Sequence, residues 1–377
     1  MPGQRSAALL LPIIERSYPW TGHFGAGPTS IGSVRVLRIS ITDRCNYRCV
    51  YCMPEDGVTW LPKPEILSFE EIARVVKAAI QIHGIRRFKL TGGEPTVRNG
   101  LVELVALLKR IDGVEDLSLT TNGQRLAELA GPLRAAGLDR VTVSIDSLDP
   151  ARFRLITRTG DLATVLAGLD RAEEVGFASI KINCVTMRGI NEDELADFAR
   201  LTVDRKLTVR FIEYMPLGEA AIGPAGGQGF ALRTGVEAKP STCDGQSRGD
   251  NALISETETR GIIERELGPL TPVNRPSEAG VGPANVWRLS RGRPLGRIGF
   301  ISAMSAPFCA TCNRLRLTAD GLLRSCLFDG GEIDVKSILR GQDPSLQSLA
   351  DAMVQCVRLK PSVHSHHGNK QMSRIGG

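Results

Sequence analysis

Between Val34 and about Tyr214, short runs rich in β-branched and apolar residues alternate with stretches whose apolar positions recur every three or four residues. The short runs predict strands over Val34–Ile41, Arg87–Thr91, Asp116–Thr121, Arg140–Ile145, Ser179–Val185 and Thr208–Glu213. Between them Phe69, Ile72, Val76 and Ile80 share one helix face, as do Leu101, Leu104, Val105, Leu108 and Ile111, and then Leu162, Val165, Leu166 and Leu169. Six consecutive strand-helix units require a parallel sheet with helices outside it. That number suits a partly closed barrel better than a small open sheet, so the expected class is α/β: an incomplete (β/α)6 TIM-like barrel.

Around Met215 the alternation stops, and Gly218 to about Gly261 is glycine-rich and poor in aromatics, so no elements are assigned there. Strand patterns return at Val286–Leu289, Ile298–Ser302 and Leu315–Thr318, followed by helical patterns at Val335–Leu339 and Leu346–Val357. The expected division is an N-terminal extension at 1–33, the barrel at 34–216, a glycine-rich linker or insertion at 217–285, a smaller C-terminal domain at 286–360 and a tail at 361–377.

With 377 residues, 42% hydrophobic and 23% charged, the chain can bury a sizeable core, and general disorder is excluded. A net charge of +6 is too mild for a dedicated nucleic-acid binder, although it suits an anionic small ligand. The longest apolar run near the start, Ala7 to Ile14, ends at Glu15, well short of the roughly 18 to 20 residues of a membrane span. No small-residue cleavage site follows it. The expectation is a cytoplasmic protein without membrane or nucleic-acid partners; a cleaved organelle presequence stays open, because Glu15 is the only acid before Asp43.

Six of the nine cysteines fall into two groups. Cys45, Cys49 and Cys52 form C-x3-C-x2-C directly after the first strand, at the end where ligands bind in βα barrels. Three thiolates on one short loop can hold three corners of a cubane cluster and leave its fourth iron open; zinc would usually want a fourth protein ligand. A disulfide with a spare thiol is the alternative. Cys309, Cys312 and Cys326 read C-x2-C-x13-C, and here a zinc ribbon completed by a distant histidine or Cys356 stays open. Cys184 reads as a core residue, and Cys243 has no assigned role.

The first triad together with Thr91-Gly92-Gly93-Glu94-Pro95 on the next strand resembles the radical S-adenosylmethionine superfamily. The resemblance narrows further at Leu37 to Asn46, Thr120-Thr121-Asn122-Gly123, Val143 to Ser147, Arg210 to Pro216, Phe308 to Thr318 and the terminal Met372-Ser373-Arg374-Ile375-Gly376-Gly377. This set is similar to the GTP 3′,8-cyclases. It covers roughly 34–216 and 286–377 and leaves 217–285 uncovered.

The resemblance implies S-adenosylmethionine and two 4Fe–4S clusters, one on each cysteine triad. The first would yield a 5′-deoxyadenosyl radical that takes the ribose 3′ hydrogen of GTP, and attack on guanine C8 would close the ring to (8S)-3′,8-cyclo-7,8-dihydroguanosine 5′-triphosphate. That is the first step of molybdopterin biosynthesis. The second cluster, in the C-terminal domain, would fix the purine. Tyr51, Gly93, Ser144 and Met215 match positions around S-adenosylmethionine; Arg38, Lys89, Thr120, Lys181, Arg314, Leu315 and Arg316 match positions around GTP; Arg38, Gly376 and Gly377 match catalytic positions. A triphosphate carries about four negative charges and needs converging cations. Alternation in Arg314-Leu315-Arg316 puts both guanidiniums on one face, and Lys181 stands in an otherwise apolar strand where a bound phosphate would compensate it. Implied partners are a reducing electron donor and the downstream cyclic pyranopterin monophosphate synthase, with a homodimer allowed. The competing readings are a peptide-modifying enzyme of the same superfamily and a non-catalytic nucleic-acid module; arginines without an aromatic stacking platform favour a triphosphate over the latter.

Overall fold

The computed structural model describes residues 27–217, 252–273, 282–329, 331–342, 344–364 and 375. The six expected strands are β1 (Val36–Ser40), β2 (Arg87–Thr91), β3 (Asp116–Thr121), β4 (Arg140–Ser144), β5 (Ser179–Thr186) and β6 (Thr208–Glu213), all paired in parallel in that order. Helices α1 (Phe69–His83), α2 (Leu101–Lys109), α3 (Leu126–Ala135), α4 (Pro150–Thr157), α5 (Leu162–Glu174) and α6 (Leu195–Asp204) fill the connections. The start of α1 was legible: Ser68 and Glu71 form a reciprocal capping box.

Each barrel strand carries apolar residues on its helix-facing side and polar ones inside. Leu37 and Ile39, Leu117 and Leu119, Val141 and Val143, Ile182 and Cys184 are fully buried in the core. Arg38, Lys89, Ser118, Thr142, Lys181, Asn183 and Arg210 take the alternate positions and line the interior. A TIM barrel normally packs its inside with branched apolar side chains. This interior is polar, and it therefore encloses a chamber.

The C-terminal third extends both edges of the same sheet. Strand β9 (Arg297–Ile301) runs parallel to β6 and is flanked by β8 (Asn285–Leu289) and β7 (Leu270–Pro272). On the other edge β10 (Arg314–Leu317) runs parallel to β1, followed by β11 (Leu322–Arg324) and β12 (Glu332–Asp334). Two further helices, α8 (Val335–Arg340) and α9 (Leu346–Arg358), complete this part, and α9 packs on α1. Within 217–285, where composition predicts no element, α7 (Glu256–Leu267) stands with its own capping box between Ser255 and Glu258. Its amide at Glu256 donates to buried Glu213, which also accepts from the amides of Met304 and Ser305 and so ties β6 to the segment after β9.

Candidate active site

A cavity of about 350 Å³ occupies the barrel interior. Of the residues assigned from sequence, Arg38, Lys89, Thr120, Lys181, Arg314 and Arg316 line it, as do Tyr51, Gly93, Ser144 and Met215 and both cysteine triads. Leu315 does not: its side chain is fully buried in the apolar core on the far face of β10, so any contact with a ligand is through its backbone. Gly376, Gly377 and Cys243 lie outside the described residues.

The two triads stand at opposite ends of the chamber. Cys45, Cys49 and Cys52 follow β1, at its C-terminal end, whereas Cys309 and Cys312 precede β10, whose Arg314 is level with Val36 at the start of β1. A five-residue strand between them sets a separation of roughly 15 Å. Each C-x2-C turn is closed by a backbone bond, Cys52 N to Cys49 O at 2.9 Å and Cys312 N to Cys309 O at 3.1 Å. The β10–β11 hairpin brings Cys326 back beside Cys309.

The eight described cysteines form no disulfide with one another. Among the described residues no three Cys, His, Asp or Glu side chains converge closely enough for a single metal ion. Cys356 is buried on α9 with its thiol toward the Gly331 carbonyl, and it does not line the cavity. Cys356 therefore does not complete a ribbon, and the described histidine nearest the triad, His364, has its Nε2 on the Ala303 carbonyl.

The ends differ electrostatically. Burial, then Glu94, pushes Cys45 up to about 12, and burial, then Cys45 and Asp146, pushes Cys52 to about 12. Burial also opposes ionisation of Cys312, but Arg314 and Lys360 outweigh it and hold that thiol below its ordinary value. The Lys360 ammonium donates to the Cys312 carbonyl at 2.9 Å. His364 follows, stacked on Phe328 at 4.1 Å with its Nε2 donating to the Ala303 carbonyl at 2.8 Å, and its backbone amide donates to Cys309.

Between the triads lies a row of cations fixed by strand register: Arg316 is level with Arg38, and Arg38 with Lys89. Arg210 and Lys89 both reach Thr142 Oγ1, at 3.4 and 3.2 Å. Burial, then Arg314, lowers Arg210 to about 10, and the same two causes lower Arg316 to about 9. Thr120 Oγ1, Asn183 Oδ1 and Ser325 Oγ are buried without a hydrogen-bond partner among the described residues. Cations that repel one another beside unsatisfied polar atoms fit an anionic ligand with hydroxyl groups.

Sequence reasoning passed over Arg210, Asp146, Asn183 and Glu94. Asp146 accepts from the Tyr51 hydroxyl at 2.7 Å and the Val185 amide at 2.9 Å, and burial raises it to about 6. Glu94 accepts from Thr96 and Thr121 hydroxyls and from the Asn122 amide at 2.6 Å, lashing the glycine loop to the end of β3. Arg210 carried the same signal as Lys181, a cation within an apolar strand. Gly93 has a constraint of its own: a Cβ there would lie 2.5 Å from the Asp43 and Arg44 carbonyls, so the glycine is needed where two loops meet.

The sequence matches the Radical SAM superfamily over residues 39–202 and the family Molybdenum Cofactor Synthesis C over residues 236–366. Curated relatives include the GTP 3′,8-cyclase of Pelotomaculum thermopropionicum, 44% identical over 348 residues, 91% of this chain and 98% of that protein. The GTP 3′,8-cyclase of Thermodesulfovibrio yellowstonii is 41% identical over 348 residues, 92% of this chain and 98% of its own. Among solved structures, Streptococcus suis SuiB bound to S-adenosylmethionine is 15% identical, with a TM-score of 0.49 over 86% of this chain and 66% of that one.

Proposed function

The chain belongs to the GTP 3′,8-cyclase family of radical S-adenosylmethionine enzymes, and from that premise we propose which of its residues carry the reaction. It is an enzyme that cyclises GTP in molybdenum cofactor biosynthesis, with S-adenosylmethionine and 4Fe–4S clusters as cofactors. No described helix is long and apolar enough to cross a membrane.

Cys45, Cys49 and Cys52 hold the first cluster, and Tyr51, Gly93, Ser144 and Met215 surround S-adenosylmethionine beside it. When bound, that pair supplies the hydrogen-abstracting radical. Because burial opposes ionisation of Cys45 and Cys52, cluster assembly releases protons and is linked to pH. Cys309, Cys312 and Cys326 hold the second cluster, next to the guanine. Arg38, Lys89, Lys181, Arg210, Arg314 and Arg316 bind the triphosphate, while Thr120 and Asn183 offer partners to ribose hydroxyls. Held from both sides, the ribose presents its C3′ hydrogen to the first site, and the base stays fixed so that C3′ can close onto C8. A reductant and a downstream cyclic pyranopterin monophosphate synthase complete the reading, in a cytoplasmic setting.

The observation that carries these assignments is the register-fixed cation row between the two triads. Each charge-assisted contact to phosphate contributes about 1.5 to 3 kcal/mol, so Arg38→Ala, Arg210→Ala and Arg316→Ala should each weaken GTP about ten- to a hundredfold while guanosine binding changes little. Equal losses for both ligands, measured by calorimetry on the reconstituted enzyme, would show that these side chains support the fold and do not read phosphate.

A further inference from the structure

We propose that Arg158 is the positioning residue that sets the backbone of the Cys45–Cys52 loop for its cluster; this rests on the reading of that loop given above. Arg158 is the only non-glycine among the described residues in the left-handed region, with φ 62° and ψ −34° as it leaves α4. An L residue rarely adopts that backbone, and such outliers persist where surrounding contacts hold them. Glycine would make the same turn without strain, so the turn alone does not call for arginine.

The hydrogen bonds that hold Arg158 come from the cysteine loop and from Met53 just after it, with the Glu55 carboxylate 3.9 Å from Nη2. The last carbonyls of α4 accept from that loop: Ile156 O from the Val50 amide at 2.9 Å and Thr157 O from the Arg48 amide at 3.1 Å. The reversal at Arg158 then sends its guanidinium back across the loop, where Nη1 donates to the Arg48 carbonyl at 2.6 Å and the Met53 carbonyl at 3.2 Å. Loop donors thus meet the helix end, and loop acceptors on either side of Cys49 and Cys52 meet one side chain. Thr159 Oγ1 adds a bond to the Asn46 carbonyl at 2.8 Å. A Cβ at Gly160 would come within 2.6 Å of Thr157 Oγ1, 2.8 Å of the Phe153 ring and 2.9 Å of the Tyr47 ring, so the turn packs closely between α4 and the loop.

In a trans peptide the C=O and N–H point in opposite directions. Holding the Arg48 carbonyl against Arg158 therefore turns the Cys49 amide away from Arg158, in a loop that already carries one amide bond to sulfur, Tyr47 N to Cys45 Sγ at 3.4 Å. Amide bonds to sulfur set how firmly a cluster is kept and its potential. Arg158 does not line the cavity. It reaches the cluster only through this loop.

The test compares Arg158→Gly and Arg158→Lys in the full chain, reconstituted anaerobically in a Cys309→Ala background that isolates the first cluster. Arg158→Gly should keep the wild-type apoprotein melting temperature or exceed it, yet lose first-cluster iron to a chelator about tenfold faster, with an altered electron paramagnetic resonance signal on addition of S-adenosylmethionine. Arg158→Lys keeps a charge without the fork and should fall between. Should the glycine chain fail to fold, the lysine chain decides alone by the same chelation rate. Wild-type retention and an unchanged signal in both variants overturn the proposal. Failure of the parent protein to load iron on Cys45, Cys49 and Cys52 would instead overturn the reading of the loop beneath it.

Discussion

Six cationic side chains, Arg38, Lys89, Lys181, Arg210, Arg314 and Arg316, line one chamber, and for Lys89 burial opposes the charge before Arg210, Arg38 and Lys181 add their repulsion. If these groups bind the triphosphate as proposed, binding relieves a cost, because without it like charges are buried close together. Lys89→Met should separate the two effects. It removes one buried charge at nearly constant volume, and Thr142 keeps Arg210 as a donor. The apoprotein should melt about 1 to 2 °C higher, corresponding to roughly 1 kcal/mol, while GTP affinity drops about tenfold or more. Differential scanning fluorimetry with and without GTP reads both changes. A lower apoprotein melting temperature would mean that the Lys89 ammonium is compensated within the chain and that its role is structural.

At the scale of elements, the site depends on how tightly the loop after β1 meets the loop after β2. Gly93 N donates to Thr42 O at 2.8 Å and Glu94 N to Arg44 O at 2.8 Å, which leaves no room for a side chain between them. Gly93→Ala should therefore destabilise the apoprotein by about 1 to 3 kcal/mol and loosen first-cluster iron while second-cluster iron is retained. Gly176→Ala is the comparison, since it has a positive φ but nothing within 4 Å of the added carbon and should lose only the backbone preference. Denaturation and iron counting decide; equal behaviour of the two variants would mean that the close approach of the loops is not needed. The strands that build this site were legible because each inward position interrupts an apolar run, as Lys89 does between Phe88 and Leu90 and Lys181 between Ile180 and Ile182. Arg210 obeys the same rule between Val209 and Phe211 and could have been found by it. The pairing of Val36 with Arg314 leaves no local pattern, so the addition of β9 and β10 to the two barrel edges was not readable. Helix α7 was hidden differently: Ser255 and Glu258 announce its start, but glycine-rich neighbours masked it. No sequence rule points to the backbone of Arg158.

At the scale of the whole molecule, the reading proposed above, with a radical source at one end of the chamber and a base-holding cluster at the other, requires that stray hydrogen donors be kept away from the reacting carbon. Two described residues near the end of the chain bear on that requirement. His364 forms part of the cavity wall, fixed by Phe328 and the Ala303 carbonyl, and Ile375 is buried at 1% exposure. Gly376 and Gly377 follow Ile375 directly and lie outside the described residues. Two glycines can enter a space that larger residues could not, and from the resemblance of Met372 to Gly377 to the family's tail we propose that they act there. Deleting both, or adding one residue after Gly377, should leave iron content and S-adenosylmethionine binding near wild type while cyclised product falls about tenfold or more, the scale expected when positioning alone is lost. A peptide ending in Met-Ser-Arg-Ile-Gly-Gly, added in trans at about millimolar concentration, should restore part of the turnover, because tethering supplies an effective concentration of that order. The measurement is single-turnover product against 5′-deoxyadenosine formed. Should the truncated enzyme match wild type in both, the two glycines are an ordinary chain end, and the wall at His364 closes the chamber without them.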